Sequence, residues 1–227
     1  MHPQPYLSIV TLLKPASNTI CDTLFEQMWK GIVMAVLTAR FHHPLHKDMD
    51  QLKSKMGMEH CIVRIHKHGA WKEKIAPNCI SISDKWVNLY DELPDVVRFI
   101  AAKSFVHLKY EGYRKAALTD AFVMFFDEMK AMELLRKMRA AIEGAYYSGL
   151  QGDRLLAVLE KVHSLKRSKD DYSYNGMPNA VMIAHYCENQ RMLTKRNAQK
   201  ILKDYCAATL PENQDQLIEK VLTEFFE

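Results

Sequence analysis

Glycine and proline are scarce in this chain, with eight of each among 227 residues. These two residue types dominate turns and irregular segments, so their scarcity leaves little room for long loops. The glycine-rich patterns that cradle phosphate groups, G-x-x-x-x-G-K-[ST] and G-x-G-x-x-G, do not occur. Serine or cysteine nucleophile motifs are missing as well. The composition therefore favours a helical protein and excludes the common glycine-loop nucleotide-binding classes.

Cysteine is also sparse, with five residues and no C-x-x-C pair. An odd number at scattered positions indicates reduced thiols rather than a disulfide framework. The most apolar run, residues 28–37, contains Lys30 and falls short of the roughly 20 residues that cross a bilayer. The start of the chain lacks the charged segment and apolar core of a signal peptide. We therefore expect a cytoplasmic location and no membrane span.

Charge of one sign is not in large excess, since the net charge is +4. This mildly basic balance permits an acidic protein partner or nucleic acid without requiring either. One basic cluster consists of Lys161, Lys166, Arg167 and Lys169, and a second consists of Arg191, Lys195, Arg196, Lys200 and Lys203. Nucleic acid can bind such clusters through its phosphates. The plainer alternative is a solvated helix face, with acids such as Glu160 and Asp204 nearby.

What the chain has in abundance is helical periodicity. The predicted strands are 61–65 and 79–83, which are short, apolar and rich in β-branched or small residues. The predicted helices are 19–41, 48–56, 84–90, 94–110, 120–147, 153–165, 179–188, 194–207 and 212–226. We therefore predict a mainly α (α+β) fold. A helical body would carry one small β-sheet of two to three short strands, followed by a C-terminal helical unit.

The most informative segment is the helix that Pro94 opens, which carries Lys103-Ser104-Phe105-Val106-His107. A zinc peptidase carries His-Glu-x-x-His on such a helix, because two histidines one turn apart bind the metal. The glutamate between them takes a proton from the metal-bound water. In this chain, only the second histidine position of that motif still carries a histidine, which is His107. Lysine has no lone pair for zinc when protonated, and serine cannot replace the carboxylate.

The order of elements over roughly residues 45–165 resembles the soluble core of the zinc metallopeptidases typified by the CAAX prenyl endopeptidase and the heat-shock membrane peptidase. In that family a helix, short strands and a small helix lead into the motif helix. The resemblance places Lys103 on the first histidine, Ser104 on the glutamate and His107 on the second histidine. Glu143 is the nearest match to the family's downstream glutamate ligand. The aspartate that follows it in the family is a tyrosine here, at Tyr146 or Tyr147.

The resemblance implies a catalytically dead scaffold with no catalytic residues, no bound metal and no other cofactor. We expect such a protein to act as an interaction or adaptor subunit of a larger bacterial complex, for example secretion or assembly machinery. Two alternatives stay open. One is a zinc-dependent hydrolase with non-standard ligands, such as His107 with Glu111 and a histidine from residues 42–68. The other is a basic nucleic-acid-binding module, which is the less favoured kind of partner.

The predicted domain organisation of the chain has three parts. Residues 1–165 form the peptidase-like helical body with its small sheet, and 179–227 form the C-terminal helical unit. Between them, residues 166–178 are charged and then contain glycine and proline, which is typical of a hinge loop. We predict partner binding by the apolar face of the last helix and by the second basic cluster. The residues concerned are Leu217, Val221, Leu222, Phe225, Arg191, Lys195 and Lys200.

Two further groups of residues have a functional and a plainer explanation. Histidines at positions 42, 43 and 46, and at 66 and 68, have spacings that can bind Zn²⁺ or Ni²⁺, or they belong to solvated turns. Methionines and phenylalanines between Phe122 and Met138 can form an adaptable partner groove, but such a stripe is more often core.

Overall fold

The computed structural model describes residues 44–67, 73–76, 78–111, 127–166 and 178–227. These ranges contain eight helices and three strands. In chain order they are α1 (Pro44–Met56), β1 (Ile62–His66), β2 (Glu73–Ala76), β3 (Cys79–Ser83), α2 (Asp84–Asn88), α3 (Pro94–Glu111), α4 (Asp127–Ser148), α5 (Gly152–Lys166), α6 (Ala180–Cys187), α7 (Lys195–Thr209) and α8 (Gln214–Phe226). The predicted helix over 19–41 and the methionine and phenylalanine positions before 127 lie outside the described residues.

The predicted fold class is confirmed, since the described chain is mostly helical with one small mixed sheet and C-terminal helices. Helix α1 begins at Pro44, four residues before its predicted start, because the fixed φ of proline suits the first helical position. Its buried residues recur at three- and four-residue spacing, and they are Leu45, Met49, Leu52 and Met56. Gly57 then ends α1 in the left-handed conformation, with φ of 67°, which a residue without Cβ adopts at little cost.

Strand β3 forms the centre of the sheet, and the strand order is β1-β3-β2. β1 pairs with β3 in parallel, with Ile62 opposite Cys79 and His66 opposite Ser83. β2 pairs with β3 in antiparallel orientation. The hydroxyl of Ser83 then accepts a hydrogen bond from the Lys85 N–H at 3.3 Å and caps α2. The chain therefore passes from β3 directly into α2, the small helix that precedes α3.

Helices α3 and α4 form the most extensive helix pair and run antiparallel. Both helices bury large apolar side chains in the core, including Phe99, Ile100, Phe105, Leu135, Met138 and Ile142. Helix α3 also packs on α1, on α5 and on the sheet. Because α3 contacts all of these elements, its side chains are fixed on nearly every side.

The C-terminal helices pack on the same body. Helices α6, α7 and α8 all contact α4, and α6 also contacts α5. Their buried side chains belong to the same continuous hydrophobic core as α3 and α4. The predicted hinge lies outside the described residues, except for Lys166 at the end of α5 and Pro178. None of the helices in the described ranges is both long enough and apolar enough to cross a membrane.

Candidate functional site

Two of the motif residues, Lys103 and His107, lie on one face of α3. Lys103 and His107 are one turn apart, and Tyr110 follows at the next turn of the same face. Lys103 and His107 are half-buried, whereas Tyr110 is exposed. Because α4 runs antiparallel to α3, Lys103 lies against Gly144 of α4, and Tyr110 lies near Arg139 and Glu143.

The backbone of Lys103 lies directly against Gly144. A Cβ at position 144 would lie 3.0 Å from Lys103 Cγ and 3.2 Å from Lys103 N. Both distances are shorter than ordinary carbon and nitrogen contacts, so glycine permits this close approach of the helices. The Nζ atom of Lys103 is 5.6 Å from the ring centroid of Phe99. The side chain at the first ligand position of the motif is therefore part of the helix packing.

Ser104 points away from that face and into the core. Its side chain is 4% exposed, and its Oγ donates a hydrogen bond to the Ile100 carbonyl at 2.9 Å. This back-bond to the preceding turn is how a buried serine in a helix satisfies its hydroxyl. The position that would carry the catalytic glutamate is thus neither acidic nor directed at a shared site.

Glu143 is the one buried acid on the facing helix. Glu143 is 3% exposed. The carboxyl group accepts hydrogen bonds from the Tyr110 hydroxyl and the Leu193 backbone N–H, and the cations of Arg139 and Lys109 lie close. Burial raises the pKa of Glu143 above its ordinary value, although these donors and cations oppose the shift. Burial and the neighbouring Glu143 charge raise the pKa of Tyr110 to about 12.

Arg139 connects this centre to the last helix. Its guanidinium carbon lies 4.0 Å from the ring centroid of Phe225 and 4.5 Å from that of Tyr110. Phe225 and Phe226 pack edge to face, with centroids 5.2 Å apart. A cation held between aromatic faces is attracted by both rings. The end of α8 is thereby anchored beside Glu143.

Toward solvent, aromatic rings and cations alternate. Arg191 lies 5.7 Å from the Tyr146 ring centroid, and the rings of Tyr146 and Tyr147 are 5.3 Å apart. Lys109 Nζ is 6.0 Å from the Tyr147 centroid and 5.7 Å from that of Tyr110. The surface above the buried Glu143 is therefore built from tyrosines and basic groups.

The predicted partner-binding residues fall into two sets. Leu217, Val221 and Leu222 are buried within the described body, with 8%, 1% and 5% exposure, and Phe225 is half-buried against Arg139. The basic residues are all exposed, and they are Arg191, Lys195 and Lys200. Of these, Arg191 lies beside the α3 and α4 face, whereas Lys200 is 5.8 Å from the Tyr186 ring on α6.

Sequence reasoning missed Tyr110 and the Leu193 N–H as partners of Glu143. Tyr110 lies seven residues after Lys103, so helical spacing alone places it on the motif face and could have pointed to it. Leu193 carries no such signal, because its backbone reaches Glu143 only through the turn between α6 and α7.

Among the described residues, no set of three or more His, Cys, Asp or Glu side chains is arranged to hold a metal ion. His42, His43 and His68 lie outside these residues. The four described cysteines are buried free thiols, and they are Cys61, Cys79, Cys187 and Cys206.

A polar cleft of about 180 Å³ lies beside α1, α3 and the end of α4. Its lining residues are Asp48, Gln51, Leu52, Lys55, Arg98, Tyr147 and Ser148. Asp48 accepts hydrogen bonds from Tyr90 and Arg98. Burial raises the pKa of Asp48, but the two hydrogen bonds and the Arg98 charge outweigh burial and leave it lowered. Asp48 and Arg98 of this cleft are therefore paired with each other.

Comparison with known proteins gives no relative: no protein-family model, curated protein or solved structure matches the chain. Function must therefore be inferred from the contacts of the described residues.

Proposed function

We propose that this chain is a non-catalytic, pseudo-metallopeptidase-like protein and an interaction or adaptor subunit of a larger bacterial complex. The observation that carries the proposal is the contact between Lys103 and Gly144. This contact places the stem of a lysine, which has no lone pair for zinc when protonated, at the first ligand position between the two helices.

The donor set supports the same conclusion. A catalytic zinc site takes three protein ligands and one water. Of the four positions that the resemblance assigns, only His107 and Glu143 carry possible ligands. The Glu143 carboxyl group is engaged by Tyr110 and the Leu193 N–H, and the charges nearest to it are basic. Cations beside the carboxylate would repel Zn²⁺ rather than recruit it, so these residues do not fit the metal.

Binding to a protein partner is supported by what the helices expose. Arg191, Lys195 and Lys200 are solvent-exposed, and large apolar side chains such as Val181, Met182 and Met192 are 58%, 40% and 56% exposed. Interfaces are enriched in arginine, methionine and aromatic residues relative to other surfaces. Arg191, Met182 and Met192 are exposed residues of these enriched types, and they support a protein interface on this part of the chain.

A metal-content measurement tests the non-catalytic part. Purified wild type and His107→Ala are incubated with excess Zn²⁺, dialysed and analysed by elemental mass spectrometry. We expect the two proteins to retain the same amount of zinc, because the described residues include no group of three His, Cys, Asp or Glu side chains that could hold a metal ion. His46→Ala serves as the matched control for a histidine elsewhere on the described surface. Stoichiometric zinc that is lost only in His107→Ala would overturn the proposal.

The adaptor part is tested by recovery of partners from the native host. Wild type and a variant with Arg191→Glu, Lys195→Glu and Lys200→Glu are immobilised, and captured proteins are identified by mass spectrometry. We expect a defined partner that the variant fails to capture while its melting temperature stays unchanged. Identical capture by both proteins would remove these residues from the interface.

A further inference from the structure

Five exposed residues make up what we term the tyrosine–cation surface: Lys109, Tyr110, Tyr146, Arg191 and Met192. Ring contacts through Tyr147 connect the first four, and Met192 follows Arg191 in the chain. The two tyrosines are 42% and 41% exposed, and Met192 is 56% exposed. They come from the end of α3, the end of α4 and the turn between α6 and α7. Three separate elements thus present large side chains at one place.

The cations of this surface lie near aromatic rings. Arg191 lies over Tyr146 and Lys109 lies near both Tyr110 and Tyr147, at the distances given above. A guanidinium stacked on a ring presents its N–H edge outward, where it matches the two oxygens of a carboxylate. Because the ring already restricts the side chain, less conformational entropy is lost on binding.

The charge that this surface presents outward is positive. Glu143 is buried beneath it, and its carboxyl group is already bound by Tyr110 and the Leu193 N–H. The nearest exposed acid on the same turn is Glu188, whose carboxylate lies 3.6 Å from His185. Charge complementarity therefore selects a partner that carries carboxylates.

We propose that the tyrosine–cation surface binds an acidic peptide segment of the protein partner, with glutamate or aspartate on Arg191 and Lys109. Apolar side chains of the same segment pack on Met192 and the tyrosine rings. This inference rests on the proposed function, since it names the kind of partner that the adaptor recognises. Single-stranded nucleic acid fits less well, because stacked bases need free ring faces and the cations already lie over these rings.

Fluorescence anisotropy tests the proposal with a fluorescein-labelled peptide of alternating glutamate and leucine. Wild type should bind this peptide and not the matched peptide with glutamine in place of glutamate. Arg191→Gln and Lys109→Gln should each weaken binding about tenfold, which corresponds to about 1.4 kcal/mol. Tyr146→Ala keeps the Arg191 charge but removes its ring, and should weaken binding less than Arg191→Gln does.

Lys161→Gln removes an equal charge from an exposed position on α5 and should leave the affinity unchanged. Melting curves establish that every variant is folded. The proposal is overturned by failure of the acidic peptide to bind, by equal binding of the glutamine peptide, or by an equal loss in Lys161→Gln. Tighter binding of oligouridine that Arg191→Gln abolishes would assign the surface to nucleic acid instead. If the acidic peptide does not bind but the zinc content is independent of His107, the peptide proposal fails and the proposed function stands. The two failures are therefore distinguishable.

Discussion

At the scale of single residues, Glu143 is the one charged side chain that is buried among the described residues. A carboxyl group that is almost completely buried is tolerated only when donors and cations surround it. Here these are the Tyr110 hydroxyl, the Leu193 N–H and the nearby Arg139 and Lys109. Three parts of the chain must therefore meet correctly before Glu143 can be buried, which makes it a marker of the native packing.

We predict that Glu143→Gln changes how stability depends on pH. Burial is the largest influence on this group, and the folded pKa of Glu143 lies above its ordinary value of 4.5. The folded state thus holds the proton more tightly, so the contribution of Glu143 to stability is greatest below the unfolded pKa and is lost as pH rises through the folded pKa. Glutamine does not titrate. The free energy of unfolding of wild type minus that of the variant should therefore decrease from acidic to neutral pH.

Urea denaturation of both proteins at a series of pH values measures this difference. Glu133→Gln is the matched control, because Glu133 lies on the same helix with a side chain that is 29% exposed. A wild-type advantage that grows toward neutral pH would show that Glu143 is better solvated or more strongly paired than its burial indicates.

At the scale of elements, α8 illustrates how an amphipathic helix is held. Its buried residues recur along one stripe, and they are Leu217, Ile218, Val221 and Leu222. Each apolar side chain of this size contributes roughly 1.5–3 kcal/mol when it is removed from water. A helix this short is marginal by itself, so packing on α4 and α7 stabilises it.

We predict that Val221→Asp lowers the melting temperature strongly. Val221 is 1% exposed, so an aspartate at this position would bury a charge that no cation of the native packing is placed to neutralise. The loss in free energy of unfolding should be at least the roughly 1.5–3 kcal/mol of the missing apolar burial. Thermal denaturation followed by circular dichroism measures it. Thr223→Asp, at an exposed position of the same helix, is the control. If both variants melt alike, α8 does not contribute to the core.

Local sequence signals predicted most element boundaries because capping is a local interaction. Asn179 and Thr194 each accept a hydrogen bond from a backbone N–H of the helix that follows, as their residue types indicate. Strand β2 was not located, because its sequence, Glu-Lys-Ile-Ala, has no apolar alternation and it pairs only at the sheet edge. Its strand character comes from β3, which no local pattern encodes.

The candidate site was predictable only in part for the same reason. The spacing of Lys103 and His107 fixes their common face, and the helical pattern places Glu143 on a facing helix. The contact of Gly144 with Lys103 and the Leu193 N–H at Glu143 are long-range. An apolar stripe such as that of α8 also cannot reveal whether its partner belongs to the same chain. The structure answers that question for α8, whose stripe packs inside the described body.

At the scale of the whole molecule, the C-terminal helices and the rest of the described body share one core. Tyr186 and Cys187 of α6, Ile201 and Leu202 of α7, and Val221 of α8 all belong to the buried cluster that includes α4. The chain that connects α5 to α6 has the charged composition, with glycine and proline, from which we predict a hinge. The C-terminal helices are therefore held to the rest of the described body by packing of buried side chains, and not only by the covalent connection between α5 and α6.

We predict that limited trypsin digestion cuts first at Lys166, Arg167 or Lys169 and that the two fragments then remain associated. The buried side chains of α6, α7 and α8 keep their contacts with α4 after the cut, so separating the fragments would expose them to water. The nicked protein should elute from size exclusion at the position of the intact chain and should separate into two fragments only in denaturant. Changing all three basic residues to glutamine is the control and should abolish the first cut. Fragments that elute apart in native buffer would show that the C-terminal helices form an independent unit, and a first cut elsewhere would reject the hinge.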